Sequence, residues 1–185
     1  MFAVIGLGNP GRKYEGTRHN AGYRVTGALA EELSAGRPFR LSRSLCATAT
    51  YAGNRLLLVQ PLTYMNLSGR ALLELLRKYP LSSKELLLIH DELDLPLGTI
   101  RFKLGGSSAG HQGVQSVIES MGSPEFLRLR FGIGRPPMEE AARYVLQPFL
   151  PTELTQAEEA VQTAVEAVKL LIEGGPVAAM NRFNR

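Results

Sequence analysis

The residues of this sequence best suited to acid–base chemistry are His19 and Asp91. His19 lies in a glycine-rich stretch, residues 6–23, which holds five glycines and one of only three histidines in the chain. Asp91 directly follows a predicted buried strand, residues 86–90. A carboxylate that accepts a hydrogen bond from one imidazole nitrogen raises the basicity of the other, so the pair would make a general base for water. A polar loop residue and a turn former are the alternatives, because spacing alone does not bring the two side chains together.

Three side-chain amides lie in or beside predicted turns near these residues: Asn9, Asn66 and Gln112. An amide donates to an ester or peptide carbonyl and accepts from a peptide N–H, so the three suit recognition of an acylated peptide. Asparagine is also common in turns for backbone reasons, and that alternative stays open at each position.

Basic residues alternate along two predicted strands. Lys103 is separated from Arg101 by one residue, as Arg130 is from Arg128, so each pair shares a strand face. Such side chains could clamp phosphates, and a solvated sheet edge is the alternative. Residues 1–138 carry 17 Lys and Arg against 10 Asp and Glu, whereas residues 139–185 carry 4 against 7. The basic surplus therefore lies in the same part of the chain as the glycine-rich stretch, which suits a polyanionic partner or an ordinary basic domain.

The first glycines also spell G-x-G-x-x-G, which is typical of dinucleotide-binding sites. That site needs the third glycine inside an opening helix and an acidic residue at the end of a second strand. Here Pro10 lies within the motif, and the acids at the right distance, Glu31 and Glu32, lie in a predicted helix. The sequence therefore disfavours a nicotinamide or flavin cofactor.

Two other chemistries are weakly indicated. Ser108 stands in a G-x-S-x-G pattern between a strand and a helix, but the only later histidine is His111, which is too near to be the usual base of a serine hydrolase. His90 and the acids at 91, 92 and 94 do not match a usual zinc spacing, and His90 is expected to be a packed core residue. We therefore predict no metal and no cofactor.

Alternation of apolar strands and amphipathic helices predicts an α/β fold: a single domain, residues 1–185, with a twisted, mixed and largely parallel sheet that helices cover on both faces. The predicted strands are residues 2–7, 46–51, 56–60, 86–90, 100–104 and 127–133. The predicted helices are residues 21–33, 68–79, 110–121 and 152–173. His19 and Asp91 would then project from the carboxyl ends of strands, where ligand crevices form.

The composition bears on the cellular compartment in which the protein is expected. The apolar stretches are too short to span a bilayer, so no membrane association is predicted. The single cysteine, Cys46, excludes an internal disulfide framework and suits a reducing cytoplasm.

Taken together, these segments resemble the bacterial peptidyl-tRNA hydrolase family. The similarity covers nearly the whole chain and is expected to fade after about residue 150. The segments that carry it are Gly6-Leu-Gly-Asn-Pro-Gly11, Tyr14, Thr17-Arg-His-Asn-Ala-Gly22, Gln60-Pro-Leu-Thr-Tyr-Met-Asn-Leu-Ser-Gly69, His90-Asp-Glu-Leu-Asp-Leu-Pro96, Arg101-Phe-Lys-Leu-Gly-Gly106 and Arg128-Leu-Arg-Phe-Gly-Ile-Gly134.

The resemblance implies a cytoplasmic, usually monomeric enzyme that cleaves the ester between peptide and tRNA 3′-ribose in peptidyl-tRNA. It implies that His19 is the catalytic base and Asp91 its orienting partner. Further implied roles concern the substrate. Asn9 and Asn66 would position the ester and water, Tyr64 and Met65 would line the cleft, Tyr14 would contact substrate, and Lys103 and Arg130 would grip a tRNA phosphate.

One position departs from the family pattern. The family commonly has Gly-Gly-His-Asn-Gly where this chain has Ala109-Gly-His-Gln-Gly113. Gln112 keeps the amide but adds a methylene, and we expect it still to bind substrate. The alternative to an enzyme is an RNA-binding module on the same fold, which would keep the basic surface without needing His19, Asp91, Asn9 and Asn66 together.

Overall fold

Seven strands run through the part of the chain that this computed structural model describes, residues 1–136 and 141–184. In chain order they are β1 (Phe2–Gly6), β2 (Phe39–Leu41), β3 (Ser44–Tyr51), β4 (Asn54–Pro61), β5 (Leu86–Glu92), β6 (Ile100–Leu104) and β7 (Leu127–Gly132). They form one sheet in the order β2-β3-β4-β1-β5-β7-β6. The central strands β4, β1, β5 and β7 are mutually parallel, and antiparallel strands extend both edges. The predicted α/β class and mixed sheet are confirmed.

Helices cover both faces of this sheet. They are α1 (Ala21–Glu32), α2 (Ser68–Lys78), α3 (Gln112–Met121), α4 (Ala141–Val145) and α5 (Leu154–Phe183). Helices α1 and α5 pack on one face through an apolar layer that includes Val4 and Ile89 of the sheet. Helices α2 and α3 pack on the other face, against Ile5 and Leu88. Strands covered on both sides are uniformly apolar, which is why β1 and β5 could be recognised as continuous hydrophobic runs.

Besides shifts of one or two residues at the ends of other elements, the observed elements differ from the predicted ones as follows. Strand β2 and helix α4 were not predicted, since they have only three and five residues. Strand β5 extends to Glu92, so Asp91 lies inside the strand near its carboxyl end rather than after it. The last helix continues to Phe183 beyond a break at Gly175, whose φ of 78° is non-helical.

A close contact between α1 and the sheet fixes the position of His19. A Cβ atom on Gly22 would overlap the backbone of Leu7 and Ile89, so only glycine lets the first turn of α1 approach β1 and β5 this closely. The short 3₁₀ helix Arg18–Asn20 immediately precedes α1. His19 is thereby held at the carboxyl edge of the parallel strands, where ligands bind in open α/β sheets. Among the described residues, no helix is both long enough and apolar enough to span a bilayer.

Candidate active site

A cleft of about 580 Å³ opens at the carboxyl ends of β1, β4 and β5. It brings together all of the residues to which the sequence assigned catalytic or substrate-binding roles: Asn9, Tyr14, His19, Tyr64, Met65, Asn66, Asp91 and Gln112. Lys103 and Arg130 do not line it. They lie on the neighbouring strands β6 and β7.

His19 and Asp91 are in direct contact. Nδ1 of His19 lies 2.9 Å from both carboxylate oxygens of Asp91. The carboxylate is buried, whereas 11% of the His19 side chain is exposed to the cleft. Burial alone would raise the pKa of Asp91, but charge interactions and hydrogen bonds with His19 and His111 outweigh it and hold that pKa well below its usual range. Asp91 is therefore an ionised acceptor at neutral pH.

A second imidazole, that of His111, also contacts this carboxylate, and we did not predict this contact from the sequence. Its Nε2 lies 2.9 Å from Oδ1 of Asp91. Its Nδ1 caps helix α3 by accepting the backbone N–H groups of Gly113 and Val114 at 3.1 and 3.2 Å. Because Nδ1 is an acceptor, a neutral His111 carries its proton on Nε2 and donates it to Asp91. Histidine is not a usual N-cap residue, so the sequence carried little signal for this role.

The tautomer of His19 follows from the same reasoning. The only described partner of its Nδ1 is the carboxylate of Asp91, so Nδ1 carries the proton. The lone pair is left on Nε2, which forms no hydrogen bond with a described residue. A neutral imidazole in this state can accept a proton from a molecule in the cleft.

His90 lies behind this group and is buried, as expected of a packed core histidine. Its Nδ1 donates to the backbone carbonyl of Asp91 at 2.7 Å, and its ring packs edge-on against His111. Burial, reinforced by the electrostatic effect of the neighbouring His111, lowers its pKa well below the ordinary value of a histidine. His90 therefore stays neutral.

Asn9 is locked from both sides by Asn20. The backbone N–H of Asn9 donates to Oδ1 of Asn20 at 2.8 Å, and Nδ2 of Asn20 donates to the backbone carbonyl of Asn9 at 3.0 Å. The side-chain oxygen of Asn9 accepts the N–H of Met65 at 2.8 Å. This bond fixes the amide orientation, so Nδ2 of Asn9 is the group left to donate into the cleft.

The remaining cleft residues present polar and aromatic surface. Asn66 and Gln112 are exposed amides, and Gln112 begins helix α3. Tyr64 is 58% exposed, whereas Met65 is buried. Tyr14 is half-buried on a 3₁₀ turn, with the ammonium of Lys13 4.7 Å from the centre of its ring.

The basic residues of β6 and β7 differ from one another in burial. Lys103 pairs with Arg128 across the strands, and Arg101 pairs with Arg130. Arg128 is buried, and its guanidinium donates to the carbonyls of Gly105, Gly106 and Ser107. Arg128 therefore holds the loop of residues 105–107 in place and is not available to a phosphate. Arg130 is partly exposed and bonds to Glu92 through Nε at 2.8 Å.

The alternative chemistries find little support in the geometry. The hydroxyl of Ser108 donates to Oε1 of Gln115 at 2.8 Å, so it is not paired with a base. His19, Asp91 and His111 offer three ligand atoms within 4.8 Å of one another. Oδ1 of Asp91 is already hydrogen-bonded to both imidazoles, so a cation bound to this oxygen would have to displace those bonds.

Comparison with known proteins places the chain in a family. The model of the peptidyl-tRNA hydrolase family matches residues 3–185. The match continues through the C-terminal helix, so the expectation that the resemblance fades after about residue 150 is wrong.

Individual relatives agree with this match. The chain is similar to a peptidyl-tRNA hydrolase of Aquifex aeolicus, with 45% identity over 98% of this chain and 95% of the relative. It is similar to one of Carboxydothermus hydrogenoformans, with 44% identity over 100% and 99% of the two chains. The crystal structure of peptidyl-tRNA hydrolase from Acinetobacter baumannii superposes with a TM-score of 0.93 at 34% identity, covering 100% of this chain and 94% of that one. The chain therefore belongs to the peptidyl-tRNA hydrolase family.

Proposed function

We propose that the protein hydrolyses the ester bond between the peptide and the tRNA 3′-ribose of peptidyl-tRNA, releasing free tRNA and a peptide acid. The observation that carries the proposal is the His19–Asp91 contact of 2.9 Å at the floor of a cleft that Asn9 also lines. Family membership supplies the substrate class.

In the proposed mechanism, Nε2 of His19 removes a proton from a water molecule while the water oxygen attacks the ester carbonyl. The carboxylate of Asp91 stabilises the imidazolium that forms. Nδ2 of Asn9 donates to the developing oxyanion. When the tetrahedral intermediate collapses, the ribose 3′-oxygen leaves and takes the proton back from His19. The route needs no covalent intermediate and no metal.

The other cleft residues are proposed to hold the substrate. The exposed amides of Asn66 and Gln112 would bind the peptide carbonyls and N–H groups or order the water. Gln112 reaches one methylene further than the family's usual asparagine. Tyr14, Tyr64 and Met65 would form the aromatic and apolar walls around the acyl group and the terminal nucleotide.

Lys103 and Arg130 are proposed to bind a phosphate of the tRNA. They lie on adjacent strands outside the cleft, and both are partly exposed. Among the described residues, Arg130 bonds only to Glu92 and only through Nε, which leaves its terminal nitrogens for an anion. The whole chain, residues 1–185, would act as one domain and as a monomer in the cytoplasm.

The direct test is the release of N-acetyl-aminoacyl groups from tRNA, with and without a chelator, and with free-amine aminoacyl-tRNA as the control substrate. We expect hydrolysis of the acylated substrate in both conditions. Replacing the base, His19→Ala, should lower turnover by about 10²–10⁴-fold and leave tRNA binding largely intact. Unchanged turnover in this variant would overturn the mechanism, loss of activity with chelator would point to a metal, and tRNA binding without hydrolysis would favour a binding module.

A further inference from the structure

Arg18, the residue before His19, is a buried guanidinium that does not line the cleft. Its side chain is 2% exposed. One terminal nitrogen donates to the carbonyl of Pro148 at 2.6 Å, and the other lies 2.6 Å from Oε2 of Glu153. Its planar group also stacks 4.1 Å from the ring centre of Tyr144. A buried arginine with this many partners fixes the relative position of the segments that supply them.

The backbone around Arg18 is tied to the same segment. Its N–H donates to the carbonyl of Gln147 at 3.0 Å, and Thr17 forms an isolated antiparallel bridge with Pro148. The two residues that precede His19 are therefore paired, through backbone and side chain, with residues 147 and 148.

Residues 147 and 148 directly follow the apolar wall of the cleft, which we define as Val145 and Leu146. Both line the same cleft as His19, and Leu146 is 46% exposed. Tyr144, on which Arg18 stacks, is anchored in turn by its hydroxyl, which donates to the carbonyl of Ile133 at 2.7 Å. Arg18 thus adjoins the candidate base, His19, in the chain, and its hydrogen-bond partner Gln147 adjoins Leu146 of the apolar wall.

We propose that Arg18 is a positioning residue that couples the apolar wall to His19. A peptide whose side chains pack against the wall would then hold the base in its reactive position. This inference rests on the proposed function. The fork of a guanidinium reaches a carboxylate and a carbonyl at the same time, whereas the single ammonium of lysine offers no such fixed pair of donors. The wall would take the apolar side chains of the peptide part of the substrate.

The first test compares Arg18→Lys with the wild type on tripeptidyl-tRNA. We expect kcat to fall by roughly 10- to 100-fold with little change in tRNA affinity, because a small displacement of a catalytic group costs rate rather than binding. Arg43→Lys is the matched control, since it makes the same exchange in an exposed ion pair with Glu74 away from the cleft. A kcat within twofold of the wild type, or an effect on KM alone, overturns the inference.

The second test asks whether the wall and Arg18 act together. Leu146→Ala should slow the wild type on tripeptidyl-tRNA but have little further effect in the Arg18→Lys background, where the coupling is already broken. On N-acetyl-aminoacyl-tRNA, which carries one amino acid instead of three, we expect Leu146→Ala to have little effect in either background. If Leu146→Ala and Arg18→Lys lower kcat multiplicatively on tripeptidyl-tRNA, the proposed coupling is overturned.

A third variant covers the case in which Arg18→Lys does not fold, as judged by circular dichroism. Glu153→Gln removes the carboxylate charge that faces Arg18, and the Glu153 side chain is 23% exposed. This variant should also lower kcat, by a smaller factor than Arg18→Lys. An unchanged kcat in this variant overturns the inference. A wild type that does not hydrolyse either substrate contradicts the proposed function itself, whereas an active wild type with unaffected variants contradicts only the coupling.

Discussion

Asp91→Asn is the substitution whose consequence the geometry defines most completely. Oδ1 of Asp91 accepts from Nε2 of His111, which must be a donor because its Nδ1 already accepts two backbone N–H groups. An asparagine at position 91 would therefore turn its oxygen toward His111. Its NH₂ group would then occupy the place of Oδ2, 2.9 Å from Nδ1 of His19. Two donors would face each other there, and His19 would keep only the amide oxygen at the place of Oδ1, also 2.9 Å from Nδ1 and shared with His111. The bond that holds the proton on Nδ1 would weaken, which favours the tautomer with its proton on Nε2 and no lone pair pointing into the cleft.

Loss of the negative charge of Asp91 would itself slow the reaction. Two unit charges about 4 Å apart interact by about 4 kcal/mol at an effective dielectric constant of about 20. That energy would be lost from the transition state in which His19 is an imidazolium. At about 1.4 kcal/mol per factor of ten, kcat should fall by about 10³-fold. The tautomer change acts in the same direction.

Single-turnover hydrolysis of N-acetyl-aminoacyl-tRNA measures this loss directly, with thermal unfolding as the check that the variant is folded. Asp94→Asn is the matched control, because it removes the same charge from the same cleft at a side chain that is 53% exposed and paired with Arg135. We expect the control to stay within a fewfold of the wild type, since an exposed ion pair contributes little. The reasoning is refuted if folded Asp91→Asn keeps more than a tenth of the wild-type kcat, or if Asp94→Asn loses as much.

Three further predictions use other parts of the molecule. Lys103→Ala should weaken tRNA binding and reduce the slope of the logarithm of the tRNA-binding constant against the logarithm of the salt concentration by about 1, whereas Lys84→Ala should leave that slope unchanged. Equal slopes for Lys103→Ala and the wild type would argue against a phosphate contact at Lys103. His90→Asn should flatten the pH dependence of the unfolding free energy between pH 7 and 5. Native His90 stays neutral, whereas the unfolded residue takes up a proton below about pH 6.5, so the wild type loses stability as the pH falls, by at most about 1.4 kcal/mol per pH unit from this group. A variant with the wild-type slope would contradict the assignment of His90 as a neutral buried residue. Burial raises the pKa of the Cys46 thiol to about 11, so iodoacetamide at pH 8 should label it slowly in the native protein and quickly in urea, and fast native labelling would contradict its burial.

The fold could be predicted from the sequence where burial on two sides leaves a continuous apolar pattern. Residues 86–90 could be recognised as a central strand for that reason, and the parallel arrangement then placed His19 and Asp91 at one edge of the sheet. Strand β2 and helix α4 are too short to produce a periodic signal, so their existence depends on tertiary contacts.

The side chains whose surroundings could not be predicted from the sequence contact segments that are distant in the chain. Alternation correctly put Arg128 and Arg130 on one strand face, but it could not show that the carbonyls of residues 105–107 cover Arg128 and leave Arg130 partly exposed. Arg18 gave no signal as a buried residue, because its acceptors come from residues 147, 148 and 153. A long-range polar contact of this kind leaves no pattern in the local sequence.

His19 and His111 contact the same carboxylate, but their other hydrogen bonds show which of the two can act as a base. His19 and His111 each place a ring nitrogen 2.9 Å from Asp91, and both line the cleft. The lone pair of His111 lies on Nδ1, where the N–H groups of Gly113 and Val114 already occupy it. The lone pair of His19 lies on Nε2, which has no partner among the described residues. Only His19 can therefore accept a proton from water without first breaking a helix cap, and His111 is left to orient the carboxylate.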